Sequence, residues 1–194
     1  MGKSTLAAML VDMGIPVHDS DACVHELLAP NARGAAAVAE AFPVDRYPKI
    51  YEQESGNIIR VELGKLVFHD AGKKELLESI LHPLVREAQQ EFLKVQREAK
   101  KDLAVLDIPL LFETGAESRV DYIIVVSAPA EVQRARVLSR PGMDEEKFHA
   151  ILALQMPDAQ KVAKADYVIN TGISLDETRR ELAAVLEEIR TKHE

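Results

Sequence analysis

Two spacings of apolar residues alternate along the chain. In residues 3–13, apolar residues recur every three or four positions, which is typical of an amphipathic helix. Gly14 predicts the end of this helix. Short runs that are apolar at almost every position are typical of buried strands. These predicted strands are residues 15–18, 103–107, 121–126 and 166–169.

Further helical periodicity predicts a helix after most of these strands. Pro83 is expected in the first turn of a new helix, because proline has no N–H for a helix interior. Ser174 and Glu177 form a predicted capping box at the start of the last helix, and the polar residues 43–57 predict a loop. Strands that alternate with helices predict a three-layer α/β fold with a parallel sheet. The other predicted helices are residues 21–29, 31–41, 60–69, 73–81, 83–95, 130–140 and 144–154.

Composition narrows the possible functions. The 194 residues are 47% hydrophobic, which predicts a single compact domain, and the net charge of −8 disfavours a broad nucleic-acid surface. No apolar run is long enough for a membrane span, and no secretory signal is evident. The single cysteine, Cys23, excludes a disulfide framework and a thiolate zinc site. We therefore expect a cytoplasmic protein with no nucleic-acid or membrane partner.

The four residues Gly2-Lys3-Ser4-Thr5 match the end of a phosphate-binding loop. Such a loop uses glycine to curl N–H groups around phosphates, a lysine to neutralise them and a hydroxyl to ligate Mg²⁺. A helix that starts with a Ser or Thr cap is the alternative. The amphipathic helix that follows is the context that phosphate binding requires.

Two acids, Asp19 and Asp21, follow the first predicted strand. In an extended segment, residues i and i+2 project to the same side, and strand ends of α/β sheets face the ligand crevice. One of the acids could accept a proton from a hydroxyl nucleophile. Alternatively, Ser20 or Asp21 caps the next helix.

Basic residues gather in the second half of the chain. Gln133, Arg136 and Arg140 have the spacing of one helix face, and Pro141-Gly142 then predicts a break beside a mobile lid. Arginines on a lid would stabilise a transferring phosphoryl group, whereas a solvated helix face is the alternative. For His82, which precedes Pro83, a packed residue is the favoured interpretation from the sequence alone.

Taken in order, several segments resemble the dephospho-coenzyme A kinase family over nearly the whole chain. They are GKST at 2–5, the turn with Asp19 and Asp21, Arg60 with Val67-Phe68, Leu77-Glu78 with Leu81-His82-Pro83, Asp107 to Glu113, Gln133 with Arg136 and Arg140, Gln155, and residues 165–172. The resemblance implies a P-loop kinase fold and Mg²⁺-dependent transfer of the ATP γ-phosphoryl group to the ribose 3′-hydroxyl of dephospho-coenzyme A. This is the last step of coenzyme A synthesis.

The resemblance also implies roles for individual residues. Gly2, Lys3, Ser4 and Thr5 would bind the ATP phosphates, with Ser4 on Mg²⁺, and Arg136 and Arg140 would act from the lid. Asn170 and Gly172 would line the adenine end. Asp21 would be the base, with Lys3 and Arg140 the other catalytic residues. Acceptor binding would involve Asp19, Asp21, His82, Pro109, Leu111, Phe112 and Glu113.

Within one kinase domain of residues 1–194, the resemblance implies a helical coenzyme A-binding subdomain at about 30–100 and a lid at about 136–165. Val162 stands where an arginine is expected in that lid. Met1 holds the fifth position of the eight-residue loop motif. The first strand of the family and the first half of its phosphate-binding loop are therefore expected to be missing. We expect this chain to be less stable and less active than one that is extended upstream. The alternatives are another small-molecule P-loop kinase, or a truncated or inactive nucleotide-binding product.

Overall fold

The computed structural model describes residues 2–68 and 70–192. This part of the chain contains nine α-helices and four strands, with short 3₁₀ turns at Pro48–Ile50 and Glu117–Arg119. In chain order they are α1 (Lys3–Asp12), β1 (Val17–Asp19), α2 (Ser20–Leu27), α3 (Arg33–Ala41), α4 (Arg60–Phe68), α5 (Ala71–Glu98), β2 (Val105–Asp107), β3 (Ile124–Ser127), α6 (Ala130–Leu138), α7 (Glu145–Ala153), α8 (Asp158–Lys164), β4 (Tyr167–Asn170) and α9 (Leu175–Thr191).

The strands form two ladders within the described residues, β1 with β2 and β3 with β4. The β3–β4 pair is parallel, with Val125 opposite Val168 and Ser127 opposite Asn170. The mixed α/β class and the parallel pairing agree with the sequence prediction. None of the helices in this part of the chain is long and apolar enough to cross a membrane.

The chain divides into two compact units. The first comprises residues 1–17 and 109–194 and holds α1, the β3–β4 pair and α6 to α9. Its last helix, α9, begins with the expected capping box between Ser174 and Glu177. The apolar stripe of α9 contributes Leu182, Leu186 and Ile189 to the core, where they are at most 5% exposed.

The second unit, residues 18–108, is mainly helical. Its long helix α5 packs against α2, α3 and α4. The Tyr51 hydroxyl donates a 2.5 Å hydrogen bond to the Phe42 carbonyl inside this core, so the buried phenol is satisfied. The buried side chains of the cluster are Leu28, Val38, Phe42, Ile50, Tyr51, Leu63 and Leu81.

One helix prediction is wrong. Residues 73–81 and 83–95 were expected to be separate helices, but α5 is continuous from Ala71 to Glu98 with Pro83 inside it. Pro83 has no N–H to donate to the carbonyl of Ser79, which is four residues earlier. Packing of α5 against three other helices offsets this cost. The sequence analysis also missed α8, which follows Pro157.

Candidate active site

The first turn of α1 requires glycine at position 2. Gly2 has φ +91° and ψ −9°, the left-handed region, and its carbonyl accepts the Leu6 N–H at 2.9 Å. A Cβ atom at this position would lie 2.8 Å from Cγ2 of Thr171. Both the backbone conformation and the close approach therefore exclude a side chain. The GKST segment adopts the glycine-dependent helix start that phosphate binding needs.

The hydroxyl groups in the first turn of α1 are available to a ligand. Ser4 and Thr5 are exposed, and their hydroxyl groups make no hydrogen bond to any residue that the structure describes. Neither acts as a cap, so the alternative interpretation of GKST as a side-chain-capped helix is wrong. The first turn of α1 contains no acidic residue. Its N–H groups, the partly buried Lys3 and two hydroxyls suit an anion.

The turn after β4 contacts Gly2. Thr171 is buried, and both its N–H (2.7 Å) and its hydroxyl (3.1 Å) donate to the carbonyl of Ser127. The Asn170 side chain accepts the Gly172 N–H at 2.8 Å, which closes the turn. A Cβ on Gly172 would lie 2.6 Å from Cδ of Pro129. The structure thus brings the GKST segment, the candidate phosphate-binding residues, together with the turn predicted for the adenine end.

Asp19, not Asp21, caps α2. The Asp19 carboxylate accepts the N–H groups of Asp21 (2.9 Å) and Ala22 (3.0 Å). Asp21 therefore lies in the first helical turn, and the prediction that both acids project from an extended segment is wrong. The alternative that Ser20 or Asp21 is the cap is also wrong. Capping uses the carboxylate of Asp19, whereas the side chain of Asp21 is exposed.

Two further residues of the second unit, His82 and Cys23, are partly or fully buried. His82 was expected between two helices, but it lies half-buried within α5. Cys23 is a buried free cysteine. Burial and the nearby Glu26 carboxylate raise the pKa of the Cys23 thiol, and Arg33 only partly opposes them. The thiol form is favoured, so Cys23 lacks the thiolate character of a nucleophile.

The predicted acceptor segment, residues 109–113, forms a turn whose last side chain is already engaged. The Glu113 carboxylate accepts the Met156 N–H at 2.8 Å and lies 3.1 Å from the Lys161 ammonium. Burial acts to raise the pKa of Glu113, but these bonds and its own N–H outweigh burial and lower it. Glu113 is therefore a tether between this turn and α8.

A second lysine of α8 strengthens that connection. Lys164 lies 3.5 Å from the Glu117 carboxylate and 5.5 Å from the centre of the Phe112 ring. Val162, which replaces the arginine expected in the lid, therefore lies between two lysines that bind the 112–117 segment. No local pattern in the sequence indicates these two pairs, because the partners are distant in the chain and only the fold brings them together.

The arginines near α6 differ in their partners. Arg134 forms an ion pair with Glu145 of α7, whereas the guanidinium groups of Arg136 and Arg140 are exposed and pair with no described residue. Arg140 follows the end of α6 at Leu138, so its predicted place on one helix face is wrong. Gln133, by contrast, is buried and donates to the Ala128 carbonyl at 2.7 Å.

A cleft of about 260 Å³ lies among α6, α7 and α8. Its wall includes Asp158, whose carboxylate accepts a 2.5 Å hydrogen bond from the Ser127 hydroxyl. This bond connects α8 with the end of β3. The cleft lies in the region expected to form the lid, near Ser127 at the end of β3. Its lining residues are Gln133, Leu152, Gln155, Met156, Pro157, Asp158 and Lys161.

Comparison with known proteins agrees with this arrangement. The sequence model of the dephospho-CoA kinase family matches residues 1–177. The chain belongs to the dephospho-CoA kinase family. A dephospho-CoA kinase of Mesorhizobium japonicum is 50% identical over 193 residues, covering 98% of this chain and 92% of that protein. One from Paramagnetospirillum magneticum is 54% identical over 162 residues, which are 83% and 73% of the two chains.

Solved structures extend the likeness to the fold. Dephospho-CoA kinase from Campylobacter jejuni has a TM-score of 0.70 and 28% identity, over 100% of this chain and 94% of that chain. A Thermus thermophilus structure has a TM-score of 0.76 and 35% identity, with coverage of 96% and 91%. The protein thus has the P-loop kinase fold, and its family consists of transferases that use ATP and complete coenzyme A synthesis.

Proposed function

We propose that this dephospho-CoA kinase binds ATP through the start of α1 and the turn after β4. Gly2, Lys3, Ser4 and Thr5 hold the phosphates, and Asn170 and Gly172 line the adenine end. The contact between Gly2 and Thr171 carries this proposal, because it joins the two segments within one unit. The open hydroxyls and the absence of acids in the first turn support phosphate at this helix end.

Mg²⁺ is part of the proposal. The Ser4 hydroxyl is exposed in the first turn of α1, has no partner among the described residues and is a hard oxygen ligand, so it fits this ion. When bound, Mg²⁺ neutralises charge on the phosphate oxygens. The side chain of Ser4 would hold it, and the Lys3 ammonium would balance the remaining phosphate charge.

Arg136 and Arg140 are proposed to act on the transferring phosphoryl group. Their guanidinium groups are exposed and make no ion pair within the described residues, unlike Arg134. A planar guanidinium can bind two phosphate oxygens at once. These arginines belong to the proposed lid at about residues 136–165, and residues 30–100 are the proposed coenzyme A-binding subdomain.

Residues that bind the acceptor, dephospho-CoA, are proposed in each of the two units. In the second unit, Asp21 accepts the proton of the ribose 3′-hydroxyl. The hydroxyl oxygen then forms the new bond to the γ-phosphorus of ATP, and ADP is the leaving group. Asp19 positions Asp21 through the N-cap, and His82 contributes to acceptor binding. In the first unit, Pro109, Leu111 and Phe112 contribute contacts, and Glu113 acts through its bonds to Met156 and Lys161.

The composition supports the remaining assignments. A net charge of −8 disfavours nucleic acid as a partner, because a phosphate backbone would be repelled, whereas a small anionic metabolite needs basic residues at one site only. A single, buried cysteine suits the reducing cytoplasm. We therefore assign dephospho-CoA and ATP as the ligands of a cytoplasmic enzyme.

The decisive experiment replaces Asp21 by Asn. Loss of the base should lower kcat by about 100-fold or more, while the affinity for ATP, measured by calorimetry, stays within about twofold because Asp21 does not bind ATP. Glu26→Gln on the same helix is the matched control and should keep the wild-type kcat. A wild-type kcat for Asp21→Asn would reject the assignment of Asp21.

A further inference from the structure

We infer that Gln89 is a positioning residue for the catalytic carboxylate, acting through Ser20; this inference rests on the proposed role of Asp21. Gln89 of α5 and Ser20 of α2 are both buried, at 4% and 7% exposure. The Gln89 Nε2 group donates a 3.0 Å hydrogen bond to the Ser20 hydroxyl oxygen. The two residues are 69 positions apart in the chain, so only the fold joins them.

This bond fixes the residue immediately before Asp21. On the backbone, the Asp19 carboxylate accepts the Asp21 N–H at 2.9 Å and thereby sets the first turn of α2. In addition, the Gln89 side chain donates its hydrogen bond to the hydroxyl of Ser20, which is the first residue of α2. Neither bond uses the Asp21 carboxylate, which remains exposed. The two bonds thus fix the chain at Ser20 and at the backbone of Asp21.

A buried polar pair is an uncommon way to pack two helices. Serine in the first turn of a helix is usually solvated, and an apolar pair would pack α2 on α5 without any need for a partner. A hydrogen bond adds direction, because the Ser20 hydroxyl would be unsatisfied if it were left alone in the core. The direction matters here because Asp21 follows Ser20, and a base must lie within hydrogen-bond reach of the hydroxyl that it deprotonates.

The test combines four single and double variants with steady-state kinetics. Gln89→Met removes the amide at similar volume, Ser20→Ala removes the hydroxyl, and Ser20→Ala/Gln89→Met removes both. Gln90→Met, at the exposed neighbour on α5, is the control. We expect Gln89→Met to lower kcat by about 10-fold to 100-fold with KM for ATP within about twofold, since small misplacements of catalytic groups have such effects. Gln90→Met should leave kcat unchanged.

The decisive measurement repeats Gln89→Met in an Asp21→Asn background. A residue that acts only by placing Asp21 should have no further effect on kcat there, whereas a general structural role should lower kcat by the same factor in both backgrounds. The latter result, or a wild-type kcat for Gln89→Met, would overturn the inference while leaving Asp21 in place. A wild-type kcat for Asp21→Asn alone would reject the proposed base, and the inference with it.

Folding of the variants is checked by thermal melting, and all rates are measured well below the melting temperatures. If either single variant does not fold, the double variant decides, because it leaves neither polar group unpaired in the core. It should then fold with a kcat reduced to the level expected for Gln89→Met. A folded double variant with the wild-type kcat would overturn the inference.

Discussion

The ammonium of Lys161 lies 3.1 Å from the carboxylate of Glu113, and both side chains are less than one-fifth exposed. The carboxylate also accepts the N–H of Met156, which precedes α8. One side chain therefore connects the turn after β2 with the start and the middle of α8. Because the pair is largely shielded from water, its electrostatic attraction is screened less than that of a surface ion pair.

Removing this charge should destabilise the protein. We expect Glu113→Gln to lower the free energy of unfolding by about 1–3 kcal/mol, because Lys161 would lose a shielded charged partner. Denaturant unfolding measures the change. Glu117→Gln is the graded control, since its carboxylate is 32% exposed and 3.5 Å from Lys164. An equal loss in the two variants would show that the shielding of Glu113 is not important.

The same residue should produce an acid-sensitive contribution to stability. The pKa of Glu113 is lower in the folded chain than in the unfolded chain, so its contribution is complete above the unfolded pKa of about 4.3 and is lost as the pH falls through the folded value. The stability difference between wild type and Glu113→Gln should therefore shrink below about pH 4. A constant difference from pH 7 to pH 3 would contradict the lowered pKa.

Alanine substitutions at Gly2 and Gly14 provide a controlled test of the proposed phosphate site. Both have positive φ, but a Cβ on Gly2 would clash with Thr171, whereas a Cβ on Gly14 would meet nothing within 4 Å. Gly14→Ala should therefore cost only about 1–2 kcal/mol of stability, the strain of the left-handed conformation. Gly2→Ala should cost more and also raise KM for ATP. Similar KM values for both variants would contradict the proposed phosphate site.

The arginines near α6 should separate into two classes. Arg136→Ala and Arg140→Ala should each lower kcat by about 100-fold or more, because a guanidinium that stabilises the transferring phosphoryl group is lost. Arg134→Ala should break only the ion pair with Glu145 and should keep kcat within a few-fold. Steady-state kinetics at saturating ATP measures each effect. If Arg134→Ala had the largest effect, our assignment would be reversed.

Pro83 should be replaceable at a gain in stability. In Pro83→Ala, the new N–H can donate to the Ser79 carbonyl within α5, so the free energy of unfolding should rise by about 1–3 kcal/mol. Thermal melting measures the change, and Gln90→Ala, another exposed position of α5, should have a much smaller effect. A lower melting temperature for Pro83→Ala would show that the ring itself contributes packing.

Local chemistry explains most of what could be predicted from the sequence. The capping box at Ser174 and the helix end at Gly14 depend on a few neighbouring residues, and both are present in the structure. The strand predicted at residues 121–126 is observed at Ile124–Ser127. Asp19 shows the limit of this reasoning. The sequence was interpreted either as an extended pair of acids or as a cap by Ser20 or Asp21, whereas in the structure Asp19 caps α2.

The sequence by itself determined the family, the alternation of helices and strands, and the candidate phosphate loop at Gly2. Tertiary structure alone decided that Pro83 lies inside a helix, because packing on three neighbouring helices outweighs one missing hydrogen bond. It also decided the partners of Glu113 and Gln89, which are distant in the chain. Buried polar groups must find partners wherever the fold places them, and no local pattern specifies that choice.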